Sequence, residues 1–512
     1  MSSISDNNRI AKNTAILYVR MLFVIVVKLY TSRIILQALG VEDYGIYNVV
    51  GGIVVLFDFL NNAMSTSTQR YITVELGHKD SNQLNKVFIT SINIHALISL
   101  IILILSETVG LYLLIYKMII PESRFWAAFW VYQISVVTSI INIMSVPYGA
   151  LIVANEKMSV FAYITLYEVA AKLAISYIIM FSPFNRLVLY AILMAGVQLS
   201  VRFINSIYCS KKLEGVKYHL YHDSCLFKEM SSFAGWNLVG NLSGVLATQG
   251  QNILLNMFFG PIVNAARAVA IQVQTTLYNF TSGFQTAINP QIIKTYAASE
   301  LSKMHTLIFK SSRMSFLLLL IMCIPFFLEA PFIIKLWLGE VPEYTIIFLK
   351  IILVVSLIDC SANSLMNAAA ATGKVKRYQL TCGLILMMIC PITYLALKAG
   401  CEPYIAFIVH LCISSTVYIA RLILLQNMIN LKIKEFVKVV LYRCAIVTIL
   451  TISIMIPIKY MMPENTINAF IVIAISVTYT SIITYIFGLT KSERDFIRRK
   501  LEFITRPIHT NK

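Results

Sequence analysis

Basic side chains inside apolar segments are the residues of this sequence best suited to binding chemistry. Eleven basic residues lie within such segments, against four acidic ones. In a medium of low dielectric constant a cation attracts anions strongly. Arg binds phosphate through two parallel hydrogen bonds, whereas Lys acts as a point charge. Arg20, Lys28 and Arg267 are therefore our candidates for a cationic cleft that binds an anion such as a lipid pyrophosphate. The alternative is intramembrane pairing of these cations with Asp58 or Glu168.

The acidic residues have two possible uses. Glu168 and Lys172 are four residues apart, a spacing that favours an ion pair on one helix, whereas the alternative is a proton- or ion-coupled switch. Asp58 and Asp359 are isolated acids at mid-depth, and each could pair with Lys28 or bind a coupling cation. Asp58, Glu168 and Asp359 are therefore candidates for ion coupling.

The remaining basic residues of the apolar segments can be explained without a role in binding. Those near the expected cytoplasmic ends of segments can extend their charged heads to the membrane surface, namely Arg202, Lys310, Arg313, Arg421 and Arg443. The nine cysteines form no CxxC motif and are expected to be reduced. No metal site and no cofactor is predicted.

Two stripes of polar residues repeat along the chain. Steps of three, four and seven residues place each stripe on one helical face. The first stripe is Tyr44, Tyr47, Gly51, Asp58, Asn61, Asn62, Ser65 and Gln69, and the second is Asn264, Arg267, Gln274, Tyr278, Thr281, Ser282, Gln285 and Asn289.

The two stripes are related by an offset of 220 residues, which also places Gly40 on Gly260. Both glycines are expected to turn the chain between two membrane segments. Matched polar faces suggest two six-helix bundles around a wet cleft, because polar groups are costly against lipid. The alternative is helix–helix packing through Ser, Thr and Asn.

The elements that position these residues are membrane helices. Of the 512 residues 58% are apolar and 13% are charged, which excludes a soluble enzyme, a disordered tail protein and a disulfide-stapled secreted domain. The apolar runs predict an all-α polytopic membrane protein with about fourteen spans, at 13–36, 44–66, 88–116, 125–150, 159–182, 188–208, 231–257, 263–287, 306–328, 344–370, 378–397, 404–427, 439–458 and 466–488.

The orientation follows from the charges between the spans. The even-numbered connectors and both termini carry 25 Lys and Arg residues, against six in the odd-numbered connectors. This asymmetry predicts cytoplasmic N- and C-termini. It also accounts for the net charge of +18 without nucleic-acid binding. The first span is expected to act as an uncleaved signal anchor.

The predicted domains follow from the repeat. We expect an N-terminal lobe at 1–208, a cytoplasmic linker at 209–230, a C-terminal lobe at 231–427, two further spans within 428–488 and a basic amphipathic tail at 489–512. Thr490 and Glu493 have the spacing of a capping box at the start of that tail. The alternative is a disordered basic tail.

Three stretches resemble one transporter group. Gly260–Gln274 with Phe284–Ala297, Leu336–Tyr344 and Leu39–Asn48 are similar to the polysaccharide exporter branch of the MOP (multidrug/oligosaccharidyl-lipid/polysaccharide) superfamily. The resemblance implies a MATE-like V of two six-helix lobes, alternating access, and flipping of a polyprenyl-pyrophosphate-linked oligosaccharide for O-antigen or other surface polysaccharide in the bacterial inner membrane.

The resemblance also implies cationic cavity residues on spans 1, 2 and 8. Arg20 and Arg267 fit that placement, whereas span 2 carries Asp58 and no basic residue. The implied partners are the lipid-linked oligosaccharide, membrane lipids, a coupling Na⁺ or H⁺, and other membrane proteins of polysaccharide assembly.

Two other classes of membrane protein compete with this interpretation. A cation-coupled multidrug exporter of the same superfamily needs acids in its cleft, and the excess of basic residues argues against it. A membrane enzyme such as a glycan ligase or polymerase needs a sizeable outer loop, and the outer connectors are short. The chain has no GxxxxGK[ST] motif for ATP, and we expect it not to be an enzyme.

Overall fold

The computed structural model describes residues 2–78, 81–155, 157–213, 221, 223–373, 375–463, 465–491, 493–495 and 498. All regular elements of these residues are helical. The main helices are α1 (Ser2–Val55), α2 (Phe59–His78), α3 (Ser81–Leu105), α4 (Leu111–Tyr116), α5 (Phe125–Ile143), α6 (Val146–Ala154), α7 (Met158–Phe181), α8 (Arg186–Lys212), α9 (Ser224–Val245), α10 (Gln251–Phe259), α11 (Pro261–Ala297), α12 (Leu301–Leu338), α13 (Thr345–Ala371), α14 (Val375–Met387), α15 (Ile389–Lys398), α16 (Ile405–Ile429), α17 (Ile433–Phe436), α18 (Tyr442–Met461) and α19 (Thr466–Ile483).

Membrane-length helices dominate the described part of the chain. Within it, 11 helical segments are long and apolar enough to cross a membrane. The all-α polytopic prediction is thereby confirmed, and the count of fourteen spans stays a prediction. One segment, Val24–Val55, includes parts of two predicted spans because the helix continues on both sides of a break at Gly40.

The breaks at Gly40 and Gly260 have the same backbone conformation. Gly40 has φ 80° and ψ 170°, and Gly260 has φ 79° and ψ −172°. A side chain at such a positive φ would be strained, which is why glycine occupies both turns. The prediction that the chain turns at these two repeat-related glycines is confirmed.

The described chain forms two compact units. Unit 1 lies within Met1–Val269, Glu340–Thr345 and Gly383–Val409, and unit 2 lies within Ala270–Gly339, Ile346–Cys382 and His410–Lys512. The boundary between them falls inside α11. The lobe boundaries inferred from the repeat stay a prediction.

Each unit has its own packed helices. In unit 1, α2 packs against α3, α6 and α9, with Met64, Ile72, Phe88 and Leu151 in a common apolar core. In unit 2, α12 packs against α18 and α19. Both units thus bury apolar side chains between helices, while many large apolar side chains stay exposed, as lipid-facing positions require.

The start of the tail is anchored to α12. Arg313, which was expected to extend to the membrane surface, is instead 1% exposed and donates from Nη2 to both carboxylate oxygens of Glu493, at 2.6 Å each. Glu493 also accepts from the backbone N–H of Thr490 at 2.8 Å, so this bond of the predicted capping box is confirmed. The expected amphipathic helix beyond it lies outside the described residues.

We expect Glu493→Gln to destabilise the protein by about 3 kcal/mol, because it leaves a buried guanidinium without its counter-ion. Thermal unfolding in detergent measures the effect. The matched control is Glu435→Gln, which removes an exposed pair with Lys432 at 3.8 Å and should cost under ~1 kcal/mol. Equal shifts for both variants would contradict the anchoring role.

The same carboxylate gives a pH dependence. Burial raises the pKa of Glu493, but the Thr490 N–H and the Arg313 guanidinium outweigh it, so the pKa lies below the usual value. Because the pKa of Glu493 is lower in the folded protein than in the unfolded chain, its ionised carboxylate adds to the free energy of unfolding. This contribution is fully present above the unfolded-state pKa and is lost as the pH falls through the folded-state pKa.

Candidate functional site

A polar cavity lies in unit 1 between α1, α5 and α8. It has a volume of about 230 Å³, and its polar lining consists of Tyr47, Ser135, Thr138, Ser139, Asn142 and Gln198. Tyr47 belongs to the first predicted stripe. Hydroxyl and amide groups of this kind bind sugars or water through neutral hydrogen bonds. The volume is below the ~300–1,000 Å³ of typical ligand pockets, so an oligosaccharide requires the cavity to widen.

A charged cluster adjoins this cavity through Gln198. The Oε1 atom of Glu168 accepts from Lys172 Nζ at 2.6 Å and from Gln198 Nε2 at 3.1 Å. The ion pair predicted from the spacing of Glu168 and Lys172 is therefore present. Lys28 is exposed on α1 and lies within electrostatic range of Glu168. One carboxylate thus has two cationic neighbours.

The amide groups of this site were missed by sequence reasoning. Gln198 and Asn142 were not singled out, although an amide inside an apolar run is itself a signal of a polar partner or cavity. Gln198 connects the charged cluster to the cavity, a role that only the packing of α7 against α8 reveals.

Arg267 is buried in unit 1. It is 6% exposed, and its Nη2 donates to the backbone carbonyl of Thr248 at 2.6 Å. Its Nε has no hydrogen-bond partner among the described residues. Leu246–Gly250 forms a wide helical turn that follows α9, and the Thr248 carbonyl that accepts from Arg267 belongs to that turn.

The three predicted cationic residues do not form one described cluster. Arg20 lies on α1, with a side chain outside the described residues, and Lys28 is exposed whereas Arg267 is buried. A shared anion site for Arg20, Lys28 and Arg267 therefore stays a prediction.

Two amides of the second polar stripe take part in helix packing. Asn264 is fully buried and donates to the carbonyl and the side-chain oxygen of Asn252 at 2.7 and 2.8 Å. Gln285 donates to the Cys360 carbonyl at 2.8 Å and accepts from Asn363. In this structure both amides hold helices together instead of lining an open cavity. Gln274 and Tyr278 are half-buried.

The first stripe is described only in part. Ser65 is half-buried and Gln69 is exposed. The side chains of Asp58 and Asn62 lie outside the described residues, so their predicted cavity and coupling roles stay predictions.

Asp359 belongs to a polar cluster in unit 2. Arg421 lies within electrostatic range of Asp359, and Ser414 hydrogen-bonds to the carboxylate. Arg421 is 8% exposed, so the expectation that it extends to the membrane surface is wrong. Asp359, on α13, is therefore not an isolated acid, because Arg421 on α16 places a positive charge near its carboxylate.

A seam of close helix contacts also lies within unit 1. Asn252 on α10 donates to the Asn48 carbonyl on α1 at 3.2 Å. A Cβ atom at Gly45 would overlap the carbonyl oxygen of Pro261, and one at Gly52 would lie 2.6 Å from the Asn252 side chain. Glycine at these positions permits the two segments to touch.

The described site offers hydrogen-bonding and charged groups for binding. Among the described residues, no three His, Cys, Asp or Glu side chains are grouped so that they could hold a metal ion. The available chemistry is hydrogen bonding from amides and hydroxyls and electrostatic attraction from Lys28, Lys172 and Arg267.

No family model matches the chain, and no curated protein matches it significantly. Solved structures do match. The lipid II flippase MurJ in an inward closed conformation has a TM-score of 0.68 at 14% identity, over 94% of this chain and 100% of that one.

Two further matches are transporters of the MOP superfamily. An inward-facing multidrug resistance MATE family transporter has a TM-score of 0.67 at 11% identity, covering 81% of this chain and 99% of that one. A transporter from Pyrococcus furiosus, described as having a binding pocket of reverse polarity, has a TM-score of 0.58 at 12% identity, with 80% and 94% coverage. The chain therefore has the fold of MOP superfamily transporters.

Proposed function

We propose that this protein is a membrane transporter that flips a polyprenyl-pyrophosphate-linked oligosaccharide from the cytoplasmic to the outer leaflet by alternating access. In this proposal it is a multi-pass protein of the bacterial inner membrane with both termini in the cytoplasm. It supplies glycan for a surface polysaccharide such as O-antigen and catalyses no covalent step.

The extent of the shared fold is the observation that carries this proposal. The likeness to a lipid II flippase covers 94% of this chain, whereas the likeness to the MATE transporter covers 81%. A lipid-linked glycan is a long amphipathic substrate. Nearly all of this chain aligns with the structure of a protein that flips such a substrate, which favours the same class of substrate here.

The charge pattern supports an anionic substrate. The apolar segments contain eleven basic residues against four acidic ones, and Arg267 keeps a guanidinium inside unit 1 with a carbonyl as its hydrogen-bonded partner. Replacing that neutral carbonyl by a pyrophosphate oxygen pairs the guanidinium with an opposite charge and permits two parallel N–H···O bonds.

The proposed cycle uses the contacts described above. The seam between α1 and the α10–α11 segment separates, Arg267 exchanges the Thr248 carbonyl for the pyrophosphate, and Arg20 and Lys28 complete the cationic site. The hydroxyl and amide groups of the widened cavity bind the sugars. Asp58, Glu168 and Asp359 are the proposed groups for coupling to an Na⁺ or H⁺ gradient.

A cation-coupled multidrug exporter is the second candidate, because the TM-score of 0.67 to the MATE transporter nearly equals that to the flippase. Such an exporter requires an acid that is free to bind a cationic drug. Glu168 is already paired with Lys172, and Asp359 already has Arg421 beside it, so neither of these two acids offers an uncompensated charge to a drug.

A proteoliposome assay separates the two functions. We expect the purified protein to move fluorescent polyprenyl-pyrophosphate-linked oligosaccharide between leaflets and to leave a cationic dye untransported. Empty liposomes and liposomes with heat-inactivated protein serve as controls. Transport of the dye alone would reject the flippase function in favour of the drug exporter.

A further inference from the structure

A polar chamber lies in unit 2 where α12 approaches the connector between α18 and α19. Its volume is about 540 Å³, and its charged lining residues are Glu329, Lys335 and Lys459. The helix α12 is broken at Glu329, where φ is −121° and ψ is 28°, between Pro325 and Pro331. The Nζ of Lys459 lies 3.1 Å from a Glu329 carboxylate oxygen and also donates to the Leu328 carbonyl next to the break.

An apolar groove continues from the chamber. It has a volume of about 410 Å³, and its lining residues are all apolar, among them Ile321, Phe326, Ile473 and Val477. Phe332 and Leu336 line both the chamber and the groove. The two spaces therefore form one path that is polar at one end and apolar along the rest.

The dimensions of this path match one leaflet of a bilayer. Eleven residues of α12 separate Ile321 from Phe332, which at 1.5 Å per residue is roughly 17 Å. Half of a hydrocarbon core is about 15 Å. An acyl chain in the groove thus ends near the depth of Ile321 while its headgroup occupies the chamber.

The charge of the chamber selects an anion. The chamber contains two lysines and one glutamate, and the glutamate is already paired with Lys459. Lys335 is exposed and supplies the net positive charge. A lysine near the membrane surface attracts an anionic lipid by about 1 kcal/mol.

We propose that the chamber and groove bind one phospholipid of the surrounding bilayer, with its phosphate at Lys335 and Lys459 and an acyl chain along Phe326 and Val477. The lipid fills the space between α12 and α19. In the predicted topology it belongs to the outer leaflet. The inference requires only that the chain spans a membrane, and it is independent of the transported substrate.

Native mass spectrometry of the delipidated full-length protein in detergent tests this site. Phosphatidylglycerol and phosphatidylcholine with identical acyl chains are titrated separately. We expect phosphatidylglycerol to bind at least roughly fivefold more tightly, because its net negative charge attracts one lysine by about 1 kcal/mol whereas phosphatidylcholine has no net charge. Lys335→Glu should remove this preference, and Val477→Trp, at a partly exposed position of the groove, should weaken both lipids.

Lys398→Glu changes another exposed lysine outside the chamber and should leave both affinities unchanged. Inorganic phosphate should not displace the lipid, because it gains nothing from the groove. The proposal is overturned if the two lipids bind equally to the wild-type protein, if Val477→Trp leaves binding intact, or if inorganic phosphate competes at the same site. Helical circular dichroism verifies that each variant is folded.

Discussion

Replacement of Arg267 by alanine is expected to reduce flipping of the lipid-linked oligosaccharide by roughly 10- to 100-fold, since a hydrogen bond to a charged group contributes about 1.5–3 kcal/mol. Arg267 is buried, keeps one N–H without a described partner, and is held by a neutral carbonyl that an anion can replace. Arg267→Lys should give an intermediate rate, because it retains the charge but loses the planar fork of donors. The measurement is the initial flipping rate in proteoliposomes.

Arg186→Ala is the matched control for this prediction. Arg186 is also an arginine of unit 1 that donates to a backbone carbonyl, that of Ala38 at 3.0 Å, but it is exposed and lies outside the cavity. Its removal should leave the flipping rate unchanged. If Arg267→Ala, folded as shown by its thermal unfolding, flips at the wild-type rate, the anion-binding role is rejected.

Adding a methyl group at Gly45 should have the second large effect. The Cβ of Gly45→Ala would overlap the carbonyl oxygen of Pro261, and a backbone atom cannot rotate away. Overpacking of this kind costs about 1–3 kcal/mol. Because the cost falls on the state in which the seam is closed, the closed state should lose population by roughly 5- to 150-fold relative to a separated one.

Two measurements check the Gly45 prediction. Hydrogen–deuterium exchange of residues 45–52 should become faster, because the closed state of the seam is destabilised. The flipping rate should fall, because the transport cycle must pass through that closed state. Gly149→Ala is the control, since a Cβ there meets no atom within 4 Å. Equal exchange and flipping in the two variants would contradict a seam that must close during transport.

Contacts close in sequence could be predicted from spacing alone. The Glu168–Lys172 pair and the Thr490–Glu493 bond each join residues three or four positions apart, which a helix or its first turn necessarily brings together. The turns at Gly40 and Gly260 were predictable for a related reason, because glycine between two apolar runs is the residue that tolerates a positive φ.

Contacts distant in sequence were not predictable in the same way. Arg313 was expected to reach the membrane surface, yet it pairs with Glu493, 180 residues away. Arg421 was expected to do the same, yet it lies buried beside Asp359. The position of a basic residue within an apolar run gives its depth, but its partner depends on which face of the helix meets which neighbour.

The polytopic helical class, the two repeat-related turns and the excess of cationic groups follow directly from the amino-acid sequence, because hydropathy, glycine placement and charge are properties of the chain. Which of the polar groups are available for binding depends on how the helices pack. Asn264 and Gln285 hold helices together, whereas Gln198 joins Glu168 to a polar cavity. The physical reason is that a buried amide must find a hydrogen-bond partner, and the partner is chosen by helix packing, not by local spacing.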